Sequence, residues 1–139
     1  MQLVSLSIAY RSATEQFGRT MQDATRTLFI FIGGLAGASG GALSAAAAHM
    51  GGTNLQTAAL FLTVHAPALL ALGLAGKGRA MAIAGAILMV GMILFSGDLI
   101  LRDLYGQRLF PMAAPTGGTM LIFGWLAIAL SAFFRKAEQ

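Results

Sequence analysis

The sequence predicts an all-α integral membrane protein: a four-transmembrane-helix bundle with an N-terminal amphipathic interfacial helix. Composition is the first observation behind this prediction. Hydrophobic residues make up 57% of the 139-residue chain and charged residues only 10%, whereas soluble domains carry about 25% charged residues. The second is a set of four long apolar stretches, and the third is the position of the basic residues beside them.

The apolar stretches have the length that a bilayer requires, because a hydrocarbon core of about 30 Å takes about 20 apolar residues in a helix. None of them contains a charged residue before Asp98, and they are apolar on all sides, as lipid-facing helices are. We therefore predict a transmembrane domain over residues 27–139. Its spans are expected at about residues 27–49, 55–76, 80–103 and 117–134.

The basic residues indicate the orientation of the chain, because Lys and Arg close to span ends are retained in the cytoplasm. Seven of the nine fall on one side of the predicted bilayer: Arg11, Arg19, Arg26, Lys77, Arg79, Arg135 and Lys136. This pattern predicts a multi-pass membrane protein with both termini in the cytoplasm. The basic residues form no stripe on a soluble face, so no nucleic-acid partner is expected.

Residues 1–26 differ from the rest and predict an amphipathic helix on the cytoplasmic membrane surface. Apolar residues recur there at steps of three and four: Leu3, Leu6, Tyr10, Ala13, Phe17, Met21 and Ala24. Charges of alternating sign are spaced by four: Arg11, Glu15, Arg19 and Asp23. A second interpretation is that translation starts at Met21, which would make residues 1–20 an extension.

Glycines in the spans predict where helices approach one another closely. Gly33, Gly37 and Gly41 are spaced by four in the first span, which is therefore expected at the centre of the bundle. The corresponding packing positions in the fourth span are Gly117, Gly118 and Gly124.

His49 and His65 are the only histidines, and a polar residue inside a membrane suggests a function. They either fix helix packing through hydrogen bonds or ligate a haem, a metal ion or a quinone. Asp98 lies one helical turn before Arg102, which predicts an ion pair that closes the third span, or alternatively a proton or cation site. No nucleophile, phosphate-binding or zinc-protease motif is present, so an enzyme is not expected.

Several short motifs occur together in the order found in one family. They are Ala42-Leu43-Ser44-Ala45-Ala46-Ala47-Ala48-His49, Phe61 to His65, Leu94-Phe95-Ser96-Gly97, Pro115-Thr116-Gly117-Gly118 and Gly124-Trp125. The chain thereby resembles the DUF423 family of small bacterial membrane proteins, which is similar to a mitochondrial transmembrane protein of animals. The resemblance covers residues 27 to about 130 and implies four spans but no established activity. It departs at Asp98, where the family usually has a small hydroxyl residue.

The family motifs place both histidines at matching positions. We therefore hypothesise a polar cluster of His49, His65, Ser96, Asp98 and Thr116 towards the outer half of the bundle. Two functions are expected from these observations. The first is a non-catalytic membrane module or accessory subunit that packs through the glycine-rich first span, in a homo-oligomer or a larger membrane complex within the lipid bilayer. The alternative is a binder or conductor of a small ligand, ion or cofactor at the histidines.

Overall fold

A computed structural model describes residues 2–134, which form four α-helices with no strand among them. We number them α1 (Gln2–Met50), α2 (Thr53–Ala75), α3 (Arg79–Tyr105) and α4 (Ala113–Phe134). All four are long and apolar enough to cross a membrane, which confirms the predicted fold class. Two of the predicted cytoplasmic residues, Arg135 and Lys136, lie outside the described residues.

The first helix is continuous for 49 residues, from Gln2 to Met50. At 1.5 Å per residue it is about 73 Å long, more than twice the thickness of a hydrocarbon core. The expected boundary near residue 26 is absent, because neither Gly nor Pro occurs between Gly18 and Gly33 to break the helix. The amphipathic segment is thus a direct continuation of the span.

The helices form two hairpins, α1 with α2 and α3 with α4, which meet through α2 and α3. Our prediction that the first span is the centre of the bundle is wrong. Within the most apolar part of each helix, 44% of residues in α2 are buried but only 22% in α1. The reason is that α1 packs almost entirely on α2, with a single small contact to α3.

Close contact between α1 and α2 depends on Gly33 and Gly40 of α1 and on Gly73 of α2, where a Cβ atom would lie 2.8 Å from the Arg26 carbonyl oxygen. A Cβ atom at Gly33 would lie 3.1 Å from the Ala66 carbonyl oxygen, and one at Gly40 would lie 3.0 Å from the Thr63 nitrogen. Gly37 is also at this interface with an ordinary contact, whereas Gly41 does not pack within the chain, since no atom lies within 4 Å of its Cβ position. At about 100° per residue, position 40 stays on the face of position 33, while position 41 rotates away from it.

The α3–α4 hairpin uses glycines from both helices. A Cβ at Gly117 would lie 2.9 Å from the Gly91 carbonyl oxygen, and one at Gly124 would lie 2.9 Å from the Leu88 Cα. Gly118 has only ordinary contacts, the nearest at 3.7 Å from the Phe95 ring. The backbones of α3 and α4 therefore touch at Gly117 and Gly124, as predicted.

Charged side chains from neighbouring helices hold both ends of α2. At its start, the Leu55 N–H donates to Oδ2 of Asp103 in α3 at 2.7 Å. At its end, Arg26 of α1 donates from Nε to the Gly73 carbonyl at 3.1 Å and from Nη2 to the Leu74 carbonyl at 2.9 Å. Each charge has the sign that the helix dipole favours and satisfies backbone groups that have no partner within the helix.

The 23 residues of α2 between these two capping contacts span about 34 Å, close to the thickness of a hydrocarbon core. We call the end of the bundle with Asp98 and Asp103 the acidic end. The opposite end, with Arg26, Lys77 and Arg79, is the basic end.

The glycine contacts predict opposite effects for two adjacent substitutions. Gly40→Ala places a methyl group against the Thr63 hydroxyl and backbone, so the free energy of unfolding should fall by about 1–3 kcal/mol. Gly41→Ala meets open space and should leave it unchanged or raise it by up to about 1 kcal/mol, the gain in helix propensity. Thermal unfolding of both variants in detergent measures the difference. Equal losses would contradict the assigned α1–α2 interface.

Candidate functional site

The acidic end contains a buried carboxylate, Asp98, whose side chain is completely inaccessible to solvent. One of its oxygens pairs with the Arg102 guanidinium one helical turn later, and the other accepts the Leu109 N–H at 2.8 Å. The predicted Asp98–Arg102 ion pair is thus confirmed. It also fastens the α3–α4 loop back onto α3, and both carboxylate oxygens are engaged.

A second carboxylate, Asp103, joins α3 to the α1–α2 turn. Besides the Leu55 N–H, it accepts a hydrogen bond from Asn54 Nδ2 at 2.8 Å. Gly52 is required beside it, since a Cβ there would lie 2.5 Å from Asp103 Oδ2 and the backbone has a φ of 106°. No pattern within either segment predicts this contact, although antiparallel spans place the end of α3 beside the start of α2.

His65 is buried among aromatic side chains near the middle of the bundle. Its ring stacks on Phe61 with centroids 5.7 Å apart, and Trp125 of α4 lies at 6.0 Å. Nδ1 lies 2.7 Å from the Phe61 carbonyl oxygen, to which it donates, and Nε2 accepts from the Trp125 indole N–H at 3.2 Å. These partners assign the neutral Nδ1–H tautomer and occupy both ring nitrogens.

His49 is far from this site. It is exposed in the last turn of α1, at the acidic end, whereas His65 precedes Ala66, which packs against Gly37. Twelve helical residues separate Gly37 from His49, an axial distance of about 18 Å. The structure therefore does not bring the two histidines together, and a bis-histidine site is not formed.

The remaining members of the hypothesised polar cluster are also separate. Thr116 is exposed in the first turn of α4. The Ser96 hydroxyl is buried and has no hydrogen-bond partner, at the edge of a groove of about 260 Å³ between α1, α2 and α3. The predicted cluster of His49, His65, Ser96, Asp98 and Thr116 is wrong, because the hydrogen bonds of His65 and Asp98 go to residues outside it. Its five members lie at different depths along their helices.

Metal binding has no support in the part of the chain that the structure describes. No group of three or more His, Asp or Glu side chains there is arranged to hold a metal ion. The contacts of His65, Asp98 and Asp103 instead join helices or fasten loops.

Four apolar helices with polar groups committed to contacts between helices define a multi-pass α-helical membrane protein. The DUF423 family, described as a protein of unknown function, matches residues 36–118, more than half of the chain. The chain belongs to this family. No solved structure matches it.

The matched segment runs from the last third of α1 to the second turn of α4 and contains both carboxylates of the acidic end. Trp125, which donates to His65, lies beyond it, as does Arg26 at the other end. His65 and the end of α2 therefore lie within the matched segment but have hydrogen-bond partners outside it.

The buried ion pair predicts non-additive effects of substitution. Asp98→Ala leaves the Arg102 guanidinium and the Leu109 N–H without their acceptor and should lower the free energy of unfolding by about 3 kcal/mol. The double variant Asp98→Ala/Arg102→Met removes both charges and should be more stable than Asp98→Ala alone. Reversible unfolding in mixed detergent micelles compares the two. A double variant that loses the sum of both single effects would contradict the assignment.

Proposed function

We propose that this protein is a non-catalytic accessory module of the bacterial inner membrane, which associates with other membrane-protein chains through α1. The observation that carries the proposal is the uncovered apolar surface of this helix before it enters the bilayer. Leu6, Tyr10 and Phe17 are 65%, 75% and 65% exposed. Apolar side chains of this size in a continuous row indicate an interaction surface.

The position of Arg26 supports an aqueous location for this row. Arg26 is bound to the last carbonyls of α2, so it lies at the membrane surface on the basic end. Residues 2–25 precede it in the same unbroken helix and extend up to about 36 Å further. Exposed aromatic side chains there gain about 25 cal/mol per Å² of apolar area when another protein covers them.

The orientation is part of the proposal. Arg26, Lys77 and Arg79 lie together at the basic end, and Lys and Arg beside span ends favour the cytoplasmic side. This supports cytoplasmic termini and a cytoplasmic projection of α1. The acidic end would then face the periplasm.

A structural role for the buried polar groups supports a module without catalysis. Asp98 and Asp103 each use both carboxylate oxygens in contacts within the chain, and His65 uses both ring nitrogens. General acid–base chemistry needs such a group within hydrogen-bond reach of a substrate. The groups of this kind that lie inside the bundle are already committed to helix packing.

The proposal predicts that charge in the apolar row dissociates the protein from its complex. Tyr10→Glu/Phe17→Glu should reduce the apparent mass in native electrophoresis of gently solubilised membranes, because both carboxylates would be desolvated in the contact. The control Gln16→Glu/Gln22→Glu adds the same charge outside the row and should keep the mass of the natural protein. Migration of the natural protein as a single chain would overturn the proposal.

A further inference from the structure

A strict seven-residue repeat runs along α1. One series consists of every seventh residue from Leu6 to Ala48, and a second consists of every seventh residue from Tyr10 to Ala45. The spacing between successive members of the two series therefore alternates between four and three residues. Both series contain only Leu, Tyr, Phe, Ala, Gly and Thr, and every charged residue between positions 6 and 48 falls outside them. We call these two series together the α1 seam. Such a repeat is the pattern of positions a and d in a left-handed coiled coil.

Every residue of the α1 seam is exposed, both in the projecting segment and within the bilayer. The residues that α1 buries against the rest of the chain, among them Phe29, Gly33 and Gly40, belong to other positions of the repeat. Gly34 and Gly41 of the seam have no atom within 4 Å of their Cβ positions. The helix therefore has one face that packs internally and a separate face that carries the heptad repeat.

The continuity of the repeat indicates a helical partner rather than lipid. Lipid covers any apolar residue and imposes no seven-residue repeat, and it cannot cover the segment before Arg26 that projects from the bilayer. A straight helix drifts about 20° per heptad, so a strict repeat stays on one line only when two helices supercoil. Residues 27–48 contain no charged residue, and in that part the α1 seam is marked by small residues, from Gly34 to Ala48, which continue the line of Leu6, Tyr10 and Phe17.

We infer that the partner is a second copy of this chain, paired in parallel along the α1 seam. This inference rests on the proposed function and names the partner. Two copies inserted with the same topology place their first helices parallel. Twofold symmetry then sets each seam residue opposite its own counterpart, so that the helices match in length and phase.

The side chains along the seam change in size where the surroundings change. Leu6, Tyr10 and Phe17 form an apolar core outside the bilayer, where burial from water drives association. Gly34, Ala38 and Gly41 are small and allow close contact inside it, where association depends on packing. Any other partner helix would need large apolar side chains outside the bilayer and small ones inside it, at the same positions along its length. A second copy has this arrangement by symmetry.

Charge and shape are compatible with this pair. The positions that flank the seam include one charged residue, Asp23, which in a parallel pair faces Leu28 of the other copy rather than a like charge. The contacts of α1 within its own chain are all to α2 and α3, through residues outside the seam. Two bundles therefore meet along α1 with α2 held on the far side.

Cysteine cross-linking tests this inference, because the natural chain contains no cysteine. Ala13→Cys and Ala38→Cys lie in the seam, and Glu15→Cys and Ser39→Cys are exposed controls at similar heights outside it. Mild oxidation in membranes should link the seam variants into dimers about tenfold more than the controls, since a disulfide requires Cα atoms within about 7 Å. Equal linkage of seam and control variants would overturn the inference.

A blocking substitution provides the second measurement. Gly41→Ile adds bulk to the seam at a position that is open in the single chain, and Ser39→Ile adds it outside the seam. Light scattering in lipid nanodiscs should give one copy for Gly41→Ile and two for Ser39→Ile, with equal helical content by circular dichroism. A natural protein that is a single copy in nanodiscs, yet keeps its large complex in native electrophoresis, would overturn the second-copy inference and leave the accessory module intact. A single chain in both measurements would overturn both.

Discussion

The capping of α2 at both ends by residues of other helices fixes the arrangement of the bundle. Within a bilayer, backbone groups at a helix end are costly to leave without partners. Asp103 supplies the acceptor at the start of α2, and Arg26 supplies the donors at its end. Together they set the height of α3 and α1 relative to α2. The glycine contacts at Gly33, Gly40 and Gly73 then bring α1 against α2 at that height.

The same constraint gives α1 its two faces. Arg26 binds the end of α2, and the continuous helix extends up to about 36 Å before it; in the module that we propose, this segment lies outside the bilayer. Glycines determine which side of α1 meets α2, and the heptad repeat remains on the opposite side. In the module that we propose, one helix thus serves both the fold of its own chain and an intermolecular contact. The module and the pairing that we propose both depend on this division.

Much of the fold could be predicted from the sequence, and the site could not. Apolar length predicted the four spans, and the spacing of Asp98 and Arg102 predicted their ion pair. A spacing of four does not identify the glycines that pack on α2, because the helical angle places Gly40 rather than Gly41 on the face of Gly33. The predicted polar cluster is not formed, because His65 lies deep in α2 while His49 lies at the end of α1. The partners of Asp103 and Arg26 depend on how helices meet, which periodicity within one segment does not reveal.

Hydrogen–deuterium exchange along α2 tests the central role of its capped ends most directly. Asp103→Ala should speed exchange in the first turn of α2, from Thr53 to Gln56, and Arg26→Ala should speed it in the last turn, while the middle stays protected. Asp103→Asn keeps an acceptor and should have a smaller effect. Unchanged exchange at both ends in the two alanine variants would contradict the account.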